Sequence, residues 1–306
     1  MRRRYTIPLI AAVGIAPWFW FYPSAPSNDW PAKLATVLQI PEAGGWLGGL
    51  SGFDISPDGR NYHMVTDRGH WARGALQREG VDLTGITISE HQKLKDRFGE
   101  TPEFPSTDAE GLALDSAGQI HVSFEQAHRV LRYDSWDSAA YWPSYTTAWR
   151  AMSLNQGLEA LAVAPDGTLF AIPEEINFGA TESLVYRKKP EGDWEQAFTL
   201  PIHETFLPVG ADFGPDGRFY LLERGLYPFG FFSRVRVMDV SENGFSNFKT
   251  LLRTKLGDHG NLEGLGVWQD AGGQIRLTMV SDDNFYAFMR GEIVEYVLED
   301  RVAIKQ

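Results

Sequence analysis

Acidic side chains recur in this sequence at fixed places relative to short apolar runs. Carboxylates gathered at equivalent places can hold a cation or move protons. The runs read LSGFDISPDGRNYHMVTDRG from Leu50, AEGLALDSAGQIHVSFEQ from Ala109, LEALAVAPDGTLFAIPEE from Leu158, GADFGPDGRFYLLERG from Gly210 and NLEGLGVWQDAGGQIRLTMVSDDNF from Asn261. Glu110, Glu159, Asp212 and Glu263 stand at the start of four of them, with Ser51 in that place in the first. Asp67, Glu125, Glu174, Glu223 and Asp282 follow the second half of each.

Each run reads as a strand, a tight turn and a returning strand, so the leading and trailing acids of one unit meet at the same edge. Like charges crowded at one opening repel, each pair at 4 Å costing about 4 kcal/mol at an effective dielectric of 20. The remedies are raised pKa values or a bound cation. Any single acid at a strand end is more often a solvated loop residue or a cap than a metal ligand, and it is the repetition that argues for more. Oxygen donors with no cysteine suit Ca²⁺, with Asp67, Glu110, Glu125, Glu174, Asp212, Glu223, Asp282 and Asn261 as candidate ligands and Asn155 and Asn284 nearby. Glu159 and Glu263 are the candidate proton-transfer groups, acting on a hydrolytic water. Arg68 and Arg224, each followed by glycine after a trailing acid, are the candidate clamps for an anionic substrate. His70, His128 and His259 show no paired spacing that would point to zinc. Tyr227, Phe229, Phe231 and Phe232 follow Arg224 and are expected either to cap a pocket or to pack over the rim.

The elements that would position these groups are strands. The apolar runs are short, rich in β-branched and aromatic residues, and end in Pro-Asp-Gly, Ser-Ala-Gly or Ala-Gly-Gly. Asp58, Asp166 and Asp216 therefore read as turn residues, not ligands. The units repeat at about 50 to 60 residues, room for four short strands each, which is the pattern of an all-β propeller of five four-stranded blades. A sixth, irregular blade in Ser89 to Ser106 or Trp136 to Ser153 is the alternative. Thr146 to Met152 is expected to be the outer strand of the second unit. The last unit lacks a fourth strand, and Ala35 to Ile40 from the N-terminal side is expected to fill it and close the ring, with Val302 to Lys305 as the competing segment.

The chain has 306 residues, no cysteine, and 28 basic against 40 acidic residues for a net charge of −12. That balance argues against nucleic acid as a partner, and the lack of cysteine excludes disulfides and thiolate metal sites. Arg2, Arg3 and Arg4 precede an apolar run from Ile7 to Tyr22, the layout of an export signal over residues 1–27 ahead of a single propeller domain over 28–306. A periplasmic or secreted location follows. Retention of the segment as an anchor is the alternative and the only membrane contact expected.

The five runs, with SRVRVMDV after the fourth and VSDDNF at the end of the fifth, resemble the phytase-like family with esterase-like activity, over about Leu47 to Leu298. The resemblance implies a β-propeller and a hydrolase of phosphate or other esters, acting on a small, anionic ester. Phytate itself fits poorly because lysines and arginines are sparse around the acids. A lactonase and a non-catalytic, calcium-stabilised binding propeller are the competing readings.

Overall fold

The turns that close the repeated hairpins need a backbone that most residues avoid. Gly59, Gly118, Gly167, Gly217 and Gly273 supply it with φ between +68° and +83°. The preceding aspartates complete these turns: Asp58 accepts from Ser56 and Arg60, Asp166 from the Thr168 amide, and Asp216 from the Arg218 amide and the Tyr220 hydroxyl. Their structural assignment from sequence is thus correct.

The computed structural model describes residues 30–41, 44–103, 106–154, 156–174, 180–202, 206–227, 230–283 and 291–299. The first strand, β1 (Ala32–Gln39), stands apart from the hairpin that follows it. The first blade is β2 (Leu50–Ile55), β3 (Asn61–Thr66), β4 (His70–Glu79) and β5 (Asp82–Lys93). The second is β6 (Ala109–Leu114), β7 (Ile120–Phe124) and β8 (Arg129–Tyr133). The third runs through β9 (Ala160–Val163), β10 (Leu169–Ile172), β11 (Glu182–Lys188) and β12 (Glu195–Pro201), and the fourth through β13 (Phe206–Phe213), β14 (Phe219–Tyr227), β15 (Gly230–Ser241) and β16 (Gly244–Arg253). In the fifth, β17 (Asn261–Gln269), β18 (Ile275–Asp282) and β19 (Glu292–Leu298) are completed by β1, antiparallel to β19 from Ala32 opposite Leu298 to Gln39 opposite Glu292. The ring is therefore a five-bladed propeller closed by its N- and C-terminal segments. Val302 to Lys305 lies outside the described residues, as do Asn155, Phe229 and Asn284.

One blade departs from expectation. Thr146 to Met152 is not a strand: Thr147–Ala151 forms a single 3-10 turn capped by Thr146, and the second blade keeps of its fourth strand only a bridge from Val130 to Ser144. Trp149 explains the difference, since it is buried edge-on against Tyr186 and beside Trp194 of the third blade, where a flat outer strand would not deliver it. No sixth blade forms among the described residues. Ser89 to Lys93 belongs to β5, and the described part of Trp136 to Ser153 holds this bridge and turn.

The core lies between blades. Five apolar clusters form, one at each junction, as with Val65, Trp71 and Leu94 of the first blade against Leu112, Phe124 and Leu131 of the second. The closing junction also holds a buried ionic network. Glu295, fully buried, accepts from Arg78 of the first blade at 2.6 and 3.0 Å, from Arg276 at 2.8 Å and from Thr278 at 3.1 Å. No helix among the described residues is long and apolar enough to cross a membrane.

Removing Glu295 leaves the buried Arg78 guanidinium without a carboxylate and Arg276 with Asp270 alone. Glu295→Ala is expected to cost about 3–5 kcal/mol of stability, read as a lower midpoint in urea unfolding. An unchanged midpoint would show that the network does not hold the ring closed.

Candidate active site at the acidic mouth

The inner strands β2, β6, β9, β13 and β17 line a central channel and approach one another so closely that side chains are excluded at one level. A Cβ on Gly52 would come within 2.7 Å of the Glu110 carbonyl oxygen, and one on Gly111 within 2.8 Å of that of Glu159. Gly210 meets the Glu263 carbonyl in the same way. These contacts set the register of the ring. The space left at the waist is about 10 Å³, one water's worth, so any substrate must sit at an opening.

Four inner strands carry a β-bulge at that level, between Leu50 and Gly52, Ala109 and Leu112, Pro208 and Gly210, and Leu262 and Gly264. A bulge re-aims the side chain it frees. The freed residues include Ser51, Glu110, Val209 and Glu263, and Glu159 precedes Ala160 at the matching place in β9. The leading position of the fourth blade is thus Val209. Asp212 lies three residues deeper, level with Asp54 by its offset from the inner glycine. There it ties blades together, accepting from the Val267 amide at 2.6 Å as Asp54 accepts from the Leu114 amide at 2.9 Å. Burial, and then Asp54, raise the Asp212 pKa well above the usual range, and burial raises that of Asp54 to about 7.

Register moves the trailing position too. The Asp67, Glu125 and Glu174 amides bond to the carbonyls of Gly49, Asp108 and Gly157, each three residues before the inner residue of its blade, and Asp282 pairs with Asn261 at the same level. In the fourth blade the residue at this level, opposite Leu207, is Arg224. Glu223 is one residue short of it and fully buried, gripped by Arg234 at 2.8 and 3.0 Å and by Arg236 at 2.8 and 2.7 Å. Two guanidinium groups occupy both its oxygens, which removes it from the candidate ligands.

The mouth therefore gathers Asp67, Glu110, Glu125, Glu159, Glu174, Glu263 and Asp282, with Asp108, which sequence reasoning missed. Arg224 does not face an open pocket. Its guanidinium bridges Glu174 and Glu263 and donates to the Asn261 side-chain oxygen at 2.9 Å, while the Asn261 amide donates to Glu263 at 2.7 Å. Asn261 thus serves to orient this clamp. Across the mouth, Asp108, Glu110 and Glu125 bring one oxygen each within 4.8 Å of one another. The Gln126 amide holds Asp108 at 3.3 Å and the Gly157 amide holds Glu125 at 2.6 Å. Asp67 keeps one buried oxygen without a hydrogen-bond partner among the described residues. Arg68 is exposed beside Asp67, whose pKa it draws down against the larger upward push of burial.

The electrostatics follow from burial and crowding. Burial, with the charges of Asp282 and Asp108, pushes Asp67 up to about 7, and burial pushes Glu125 to about 7 against the Gly157 amide. Burial lifts Glu263 to about 8 although Arg224 pulls it down. Glu110 and Glu159 are raised well above the usual carboxylate range, again by burial first and then by neighbouring carboxylates. Burial alone would lower the Arg224 pKa, but Glu263, Glu174 and Glu159 hold it above its ordinary value.

The three histidines belong to no metal-capable group among the described residues. His128 meets the Ser153 carbonyl at 3.0 Å and His259 the Tyr296 hydroxyl at 2.7 Å. The aromatic stretch after Arg224 lies in the long β14–β15 hairpin, where Phe232 is buried edge-on against Phe206 at 5.0 Å as a small satellite core.

Fold and mouth together define a β-propeller whose ionisable groups are gathered at one end of its channel. The chain belongs to the phytase-like family, described by the esterase-like activity of phytase, whose model matches residues 45–285. Among solved structures, an α-L-arabinofuranosidase from Podospora anserina in complex with cellotriose is similar at 9% identity and a TM-score of 0.52, over 89% of this chain and 98% of that one. The PQQ-bound aldose sugar dehydrogenase from Streptomyces coelicolor is similar at 12% identity and a TM-score of 0.50, over 89% and 100%. These likenesses concern the fold alone. A comparison with curated protein sequences finds no match.

Carboxylates whose pKa is raised by folding bind protons more tightly in the native state, so stability falls as pH rises from their unfolded values near 4 through about 7 to 8. In chelator, the thermal midpoint is expected to decline across pH 5 to 8. A midpoint that rises over that window would contradict this assignment.

Proposed function

We propose that the protein is an exported, Ca²⁺-dependent hydrolase of phosphate or other esters, with the acidic mouth as its reaction centre. The observation that carries this reading is the division of the mouth into two halves. Asp108, Glu110 and Glu125 converge on one side with no ion pair among the described residues, while Arg224 pairs with Glu174 and Glu263 on the other. The converging set consists of carboxylate oxygens only, which suits a hard cation, and the unpartnered Asp67 oxygen lies at the same level. These four residues would hold the ion, which supplies charge to polarise the ester oxygen and to acidify a bound water.

The chain's own groups do the rest. Glu159 takes the proton of the attacking water, and its raised proton affinity makes it a strong base once ionised. Glu263, fixed by Arg224 and Asn261 and with a proton affinity raised by burial, relays that proton to the leaving oxygen. Arg68, exposed at the rim, meets the anionic part of the ester, whereas Arg224 holds the two carboxylates in place. Family membership supports the reaction class. Export, expected from the N-terminal layout, would bring the mouth to the calcium levels that weaker extracellular sites use.

The test is turnover of phosphate esters, carboxyl esters and lactones with Ca²⁺ and with chelator. Chelator-sensitive hydrolysis of at least one class is expected, and its absence from all three would sink the reading. Asp108→Asn should weaken Ca²⁺ binding by about tenfold or more in calorimetry. Glu159→Gln should keep the affinity and lose on the order of 10²-fold or more in kcat.

A further inference from the structure

The mouth is flanked by a cavity that the reaction centre does not use. It lies between the first and second blades, encloses about 260 Å³, and is walled by Leu94, Phe98, Phe124, Leu131 and Tyr133. Thr107 and Phe124 of its lining are the chain neighbours of Asp108 and Glu125, so the cavity adjoins the metal-capable cluster. A dry cavity of about 150 Å³ accommodates benzene. This one therefore has room for a ring system with a substituent.

Two polar groups in the wall suit a ligand, a buried hydroxyl without a partner and a cation without an acid among the described residues. Tyr133 is 1% exposed, and its hydroxyl has no hydrogen-bond partner among the described residues. Arg129 stacks over Phe124 at 4.3 Å and donates to the carbonyls of Ala127 at 2.8 Å and Ser106 at 2.7 Å, but it forms no ion pair with an acid among the described residues. Burial lowers its pKa. The one carboxylate in the lining, Asp96, is occupied by the amides of Phe98 and Glu100.

The rim is aromatic as well. Phe98 and Trp142 are 71% and 76% exposed, and the Arg97 guanidinium lies over both rings, at 4.4 and 3.8 Å. Large side chains left open to water beside an apolar cavity mark a binding surface.

We propose that this cavity binds a small aromatic carboxylate, its ring among Phe124, Leu131 and Phe98, its carboxylate at Arg129 and within reach of the Tyr133 hydroxyl. Where the mouth is the reaction centre, the cavity is the subsite for the aromatic part of the ester. That role rests on the hydrolase reading; the binding does not.

Titration of the full chain with 2-naphthoate, followed by calorimetry and tryptophan fluorescence, tests it. One saturable site is expected, with acetate failing to compete. Arg129→Gln should weaken binding by about tenfold or more and Tyr133→Phe by a smaller factor, the latter with an unchanged thermal midpoint. If Arg129→Gln does not fold, Tyr133→Phe decides alone. Absence of saturable binding, or identical affinity in the folded variants, overturns the proposal. Binding without turnover of any ester would leave this site standing and remove the hydrolase reading, and turnover without naphthoate binding would do the reverse.

Discussion

Mutual repulsion among the mouth carboxylates is the constraint around which this structure is arranged. Asp67, Glu110, Glu125, Glu159, Glu174, Glu263 and Asp282 arrive together because equivalent places in a ring of hairpins converge, and no local choice of side chain undoes that convergence. The fold answers in three ways. Burial raises the proton affinity of several members, Arg224 is built into the ring as a fixed counter-charge, and Asp108, Glu110 and Glu125 are left so close together that only a proton or a cation can reconcile them.

The same closeness of the inner strands that gathers the acids also closes the channel. Gly52, Gly111 and Gly210 let backbone meet backbone, and the bulges at this level turn the leading side chains to one side. The carboxylates are thereby gathered at one end of the channel, above a waist too narrow for more than a water.

Fold class, blade number and ring closure were legible in the sequence because they rest on local signals: alternation, Asp-Gly turns and a unit left one strand short. The mouth was legible in most of its members and misread in the fourth blade. Glu223 was chosen as the trailing acid because it is an acid, but Gly118 to Glu125 and Gly167 to Glu174 are both seven residues, a spacing that Arg224 repeats from Gly217. Aligning on the inner-strand glycines would likewise have set Val209, not Asp212, beside Glu263, and would have shown Asp108 level with Asn261. The outer strand of the second blade was out of reach. Tyr145, Thr146 and Trp149 look like strand residues, and only the tertiary contact of Trp149 with Tyr186 and Trp194 makes a turn of them.

The pairing of β1 with β19 has a consequence for synthesis. The strand that completes the fifth blade, Ala32–Gln39, is made long before its partner, Glu292–Leu298, with 253 positions between Gln39 and Glu292. Until the ribosome has released those residues, four blades can form while the fifth stays open, with Arg78 waiting for the carboxylate of Glu295. Closure is therefore a late event of long sequence separation and correspondingly slow. A chain cut before Glu292 would lose the ring closure along with β19.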